Sequence, residues 1–213
     1  MKEKREQAVL LLGFTAIFTG YLSVWLPGPG AGLSFLGIEM GEWFKFLGLG
    51  ARRDLFYLPP ITLSLMLIMW TITWPNQGWR AWMARGVAVL ISLLAFPAIE
   101  DITGTVREQY VLRVVLVGVV TLAALLSGFW SPSAKQRRLP WILLAALGII
   151  GFLLPTWIYL VVRPFASQII GLSIGVGLGV WLSGMGHLLV IVASLKHIST
   201  TSQAVSPMPT QKT

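Results

Sequence analysis

Cysteine is absent from the 213-residue chain, which excludes disulfides, thiolate nucleophiles and cysteine-held metals or clusters. Histidine occurs only at His187 and His197, on one segment and at a spacing that puts them on different helix faces, so the pair cannot clamp a haem between two helices. HExxH, a GxSxG elbow and a phosphate-binding glycine loop are all missing. No catalytic residue, metal or cofactor is therefore expected. Charge is scarce too: it is carried by 11% of residues, against about 25% in an ordinary soluble domain. Water is the wrong solvent for most of such a surface. No carboxylate sits in the middle of a long apolar run, which argues against a proton- or sodium-coupled pump.

Apolar sequence is what the chain has in excess, with 55% hydrophobic residues. This predicts an all-α, polytopic integral membrane protein. At about 20 residues per crossing the length permits five or six spans and leaves little for a soluble domain. Residues 1–198 read as a single transmembrane domain and residues 199–213, STTSQAVSPMPTQKT, as a disordered polar tail. The net charge of +8 is scattered over span ends instead of forming one patch, the pattern of topology signals and headgroup contacts. The lipid bilayer is the expected partner, and nucleic acid is not. The N-terminal MKEKREQ resembles a secretory signal, yet the apolar run after it reaches Leu26 without a small-residue cleavage site, so it reads as a retained first span.

Six spans are expected, at 8–26, 55–74, 87–102, 110–130, 140–162 and 168–195. The first is uncharged, about 28 Å long at helical rise, and stopped by LPGPG. Pro59 and Pro60 lie in the first turns of the second, where a missing donor costs least. Trp70, Trp74, Trp79 and Trp82 with Arg80 and Arg85 read as a headgroup belt. The third span is the weakest, because its apolar run stops at Phe96-Pro97; a re-entrant third segment would leave five spans. Pro155 predicts a kink in the fifth, and Arg163-Pro164 a tight turn. Ten of the sixteen Lys and Arg, with Lys135, Arg137 and Arg138 foremost, share a side with both chain ends. The positive-inside rule makes that side cytoplasmic and the location a cell membrane, crossed several times.

The segment 27–54 then lies outside. Within it Leu33 to Leu47 predict an amphipathic helix bent near Gly37 and Gly41, with Glu39, Glu42 and Lys45 in a narrow stripe. Six acids fall on this side: Glu39, Glu42, Asp54, Glu100, Asp101 and Glu108. With Arg52, Arg53, Arg107 and Arg113 they make a candidate outer polar cluster. It is either a pocket roofed by the loop or a set of ion pairs that fixes helix ends.

In the last span Gly171, Gly175, Gly179 and Ser183 recur every fourth residue, the pattern of a helix-packing groove, and Gly13, Ala16 and Gly20 form a thinner version in the first span. His187, well inside the last span, is a candidate buried polar residue expected to bond a neighbouring helix, while His197 is expected in solvent.

Three functional readings arise. The first is a small non-catalytic accessory or interaction subunit of a membrane complex, associating with itself or another subunit through the last span. The second is an outward-opening solute-binding or transport subunit. The six-span, both-ends-in layout with a long first outer loop is similar, in architecture alone, to the vitamin-binding subunits of energy-coupling-factor transporters. The third, disfavoured, is an interfacial lipid enzyme.

Overall fold

Long runs of apolar helix formers produce a structure that is 79% helical. The computed structural model describes residues 2–30, 34–47, 50–105, 107–130, 132–133 and 136–203. Lys135, part of the segment 27–54 (residues 31–33 and 48–49) and residues 204–213 of the tail lie outside the described residues. The helices are α1 (Lys2–Tyr21), α2 (Gly37–Trp43), α3 (Leu58–Ile72), α4 (Trp79–Ser92), α5 (Ile99–Thr103), α6 (Val111–Ser127), α7 (Leu139–Ile170) and α8 (Leu178–Gln203). Among the described residues four helical segments are long and apolar enough to cross a membrane: Arg52–Ile72, Arg107–Ser127, Leu139–Ile170 and Leu178–Thr200.

Helix α3 is the axis of the bundle. It packs against α1, α4, α6 and α7, and 72% of its apolar window is buried, against 33% for α6. A helix apolar on every side belongs in a core. Its hydroxyl protons return to its own backbone, Ser64 to the Pro60 carbonyl at 2.7 Å and Thr71 to that of Ile68 at 2.7 Å.

Helices α1 and α8 run antiparallel on small residues. A Cβ on Gly186 would lie 2.6 Å from the Gly13 carbonyl oxygen, and one on Gly20 would lie 2.5 Å from the Ser183 nitrogen. The groove read from the last span is thus filled by the first, within one chain. Two of its four members stand elsewhere, however. Gly171 ends α7 with φ of 73°, the left-handed conformation glycine adopts without penalty, and Gly175 lies in the connection before α8. Arg163-Pro164 makes no turn, because a proline inside a helix removes one backbone bond and α7 continues through it to Ile170.

The first apolar run also divides. Helix α1 stops at Tyr21, and Val24–Leu26 (β1) pairs antiparallel with Phe35–Leu36 (β2). Trp25 pins this hairpin: its indole donates to the Gly20 carbonyl at 2.9 Å, while its own carbonyl accepts from the Tyr159 hydroxyl and the Gly177 amide, each at 3.0 Å. Gly37 and Gly41 are contact points instead of bends. Gly37 opens α2 against the Trp25 ring, and Gly41 lets α2 settle on the ring of Tyr57. Aromatic contacts from Phe35 through Trp43, Phe44 and Phe56 to Trp25 fasten the segment down at centroid spacings of 4.3 to 6.2 Å.

The third apolar segment is not one helix. Helix α4 ends in a 3-10 turn at Leu93–Ala95, Pro97 breaks the path, and α5 is a separate short helix. Polar residues 199–203 continue α8 instead of starting a tail.

Candidate functional site

The hairpin and α2 define one end of the bundle, the loop end; the start of α1 and the close of α8 define the other, the termini end. Each end carries a buried arginine.

At the loop end α6 presents Arg113, 3% exposed, to Glu42 on α2. Arg113 Nη1 donates to Glu42 Oε1 at 2.7 Å, its Nε to the Ala95 carbonyl at 2.8 Å, and its guanidinium lies 3.6 Å from the Tyr57 ring centroid. The Tyr57 hydroxyl donates to the same Glu42 oxygen at 2.7 Å, and Lys45 Nζ lies 3.6 Å from the other. Glu42 and Arg113 together therefore tie α2, the start of α3, the turn after α4 and α6. Burial pushes the Glu42 pKa up, but the hydrogen bonds from Tyr57 and Arg113 and the charges of Arg113 and Lys45 overcome that and hold it below the ordinary value. Buried Arg53 stacks on Tyr110 at 5.0 Å and donates to Gln109 at 3.4 Å. Asp54 is buried beside it, and its Oδ1 and the Tyr21 hydroxyl have no hydrogen-bond partner among the described residues.

Of the ten residues in the sequence-derived cluster, this network takes Glu42 and Arg113, with Arg53 and Asp54 alongside. Glu39 is occupied otherwise, accepting the Leu36 amide at 2.9 Å to cap α2. Arg52, Arg107 and Glu108 are exposed, and Glu100 and Asp101 stand on α5 with no ion pair to any arginine among the described residues. Tyr57, Tyr110 and the Ala95 carbonyl were missed, since aromatic and backbone partners carry no charge pattern.

In the bundle His187 is fully buried. Its Nδ1 lies 2.8 Å from the Ser183 carbonyl one turn back in α8, a bond within its own helix and not to a neighbouring one as expected. Nε2 has no partner among the described residues and flanks, with Thr62 Oγ1, the space left by Gly151.

At the termini end Arg85 points inward, not to a headgroup belt. It is 1% exposed and donates to Thr71 Oγ1 at 3.1 Å, to Gln77 Oε1 and to the Ser127 carbonyl at 3.3 Å, joining α3, α4 and α6. His197, expected in solvent, is only partly exposed: it lies 3.1 Å from Glu6 Oε2 and stacks on Trp141 at 3.9 Å. Beside these contacts opens a cavity of about 1330 Å³. Trp70, Trp74, Trp79, Trp130 and Trp141 wall it, and Arg80, Arg137 and Arg138 line it.

Fold and sites together define a mostly helical protein with several helices suited to a membrane, clamped by a buried arginine at each end. No family model matches the chain, and no curated protein or solved structure is significantly similar to it.

Proposed function

We propose that the chain is a six-span integral membrane protein with both termini on the cytoplasmic side, acting without catalysis as an accessory or interaction subunit of a membrane complex. The reach of α4 supports six crossings over five. Arg85 at the middle of α4 reaches Ser127 at the end of α6, and Ala95 just past the close of α4 meets Arg113 at the beginning of α6, so the two helices run side by side in opposite directions. From Trp79 to Ala95 it covers about 25 Å at helical rise, enough to cross with snorkelling ends. Arg80, Arg137, Arg138 and Lys196 gather at the termini end, which supports its assignment to the cytoplasm.

The observation that carries the interaction reading is the second face of α8. With its glycine face spent on α1, α8 still exposes Leu178, Trp181, Met185, Leu188, Val192 and Leu195, alternating by three and four residues, each close to half exposed or more. Such a spacing keeps one straight seam available to another helix. The outward-opening solute-binding reading has less behind it, because Glu39 is spent on capping α2, Glu42 is paired with Arg113, and no ion pair among the described residues joins Glu100 or Asp101 to that network. The test is extraction of the tagged native protein in mild detergent and mass spectrometry of what accompanies it. A stoichiometric protein partner, or a homo-oligomer, lost on Met185→Lys/Leu188→Lys is expected; a lone monomer unaffected by the change would contradict the reading.

A further inference from the structure

The cavity at the termini end is unlike the rest of the molecule. At about 1330 Å³ it exceeds the roughly 300–1,000 Å³ of ordinary small-molecule sites. Its charged lining is mainly basic. Arg80, Arg137 and Arg138 come from the start of α4 and the approach to α7, whereas Glu6, the single carboxylate among its lining residues, is engaged by His197. The beginnings of α4 and α7 both open on it, with no side-chain cap and no acid in the first turn, so their positive dipole ends add to the same field. Its walls are not those of a hydrated anion site, though. Tryptophans line it, and Leu11, half exposed on the outer face of α1, carries the apolar lining out to the bundle surface. One compartment therefore offers cations at its mouth and an apolar exit at its side, the pairing that suits an amphiphile whose head is anionic.

We propose that this cavity holds a single anionic phospholipid, with the phosphate among Arg80, Arg137 and Arg138 and the acyl chains leaving past Leu11. The site needs the membrane placement argued above and no protein partner, so it stands or falls separately from the interaction reading.

The test counts lipids on the intact, detergent-purified protein by native mass spectrometry during titration with phosphatidylglycerol, phosphatidylcholine or inorganic phosphate. One phosphatidylglycerol is expected to bind at concentrations at least about tenfold below those needed for phosphatidylcholine. Arg137→Gln/Arg138→Gln should remove that preference, and Arg107→Gln at the loop end should leave it. If the double variant does not fold, Arg80→Gln, a change at an exposed side chain, decides through the same loss of preference. Equal retention of the two lipids, or a preference that survives the arginine changes, overturns the site. Displacement of the lipid by inorganic phosphate at equal concentration would make it a site for the free anion and overturn the lipid assignment. Absence of a protein partner in the same preparation bears only on the interaction reading.

Discussion

Glu42 holds several elements through one side chain, and removing its charge should loosen all of them. It is half-exposed, yet it accepts from both Tyr57 and Arg113, so losing the arginine takes one of two donors from the carboxylate and the side-chain donor from the Ala95 carbonyl. Arg113→Gln should cost about 1–3 kcal/mol, below the cost for a fully buried pair because Glu42 remains hydrated. The purified protein should melt about 2–10 °C lower. Glu42→Gln keeps an acceptor and should cost less. The direction of the pKa shift sets the pH dependence. The Glu42 pKa is lowered in the folded state from its ordinary 4.5, so its stabilising contribution is present above 4.5 and fades as pH falls through the lower, folded value. Melting curves from pH 7 down to about 3 should therefore converge for wild type and Glu42→Gln at the acid end; parallel curves would show that the carboxylate contributes nothing. Arg113 itself was legible, as an arginine one turn inside an apolar run, but its partner lies 71 residues away and no local spacing announces it.

At the scale of elements the glycines separate two classes of contact. Gly20 and Gly186 sit where backbone meets backbone between α1 and α8, whereas a Cβ on Gly175 meets nothing within 4 Å. Gly186→Leu should drive the helices apart, with a loss of about 1–3 kcal/mol or of the folded state altogether. Gly175→Leu should leave folded yield, read by size-exclusion chromatography, within about a factor of two. The reverse order would contradict the α1–α8 seam. Periodicity alone misplaces Gly171 and Gly175, because four-residue spacing implies one face only if the helix is continuous. The stretch from Gly171 to Gly177 has too many glycines to stay helical, and the left-handed residue at its head ends α7. The thinner pattern at Gly13 and Gly20 does mark a packing surface; that it meets the last span is a fact of tertiary pairing, which the one-dimensional pattern does not contain.

For the whole molecule, the mostly helical class and the long apolar helices were visible in composition and run length, since those depend on local propensity and solvent. The central place of α3 was not, because an apolar run looks alike whether it faces lipid or neighbours. Nor was the large cavity, whose lining runs from Glu6 to Thr200 and exists only once α1 and α8 have packed together. The proposed threading has six crossings, with both termini and this cavity on one face. A chain without cysteine permits a direct measurement, labelling single cysteines with a membrane-impermeant maleimide in right-side-out vesicles, before and after they are opened. Thr105→Cys and Ser173→Cys should react in sealed vesicles, and Gln136→Cys and Ser199→Cys only after opening. Reaction of Ser199→Cys or Gln136→Cys in sealed vesicles, or protection of Thr105→Cys until they are opened, would contradict the account.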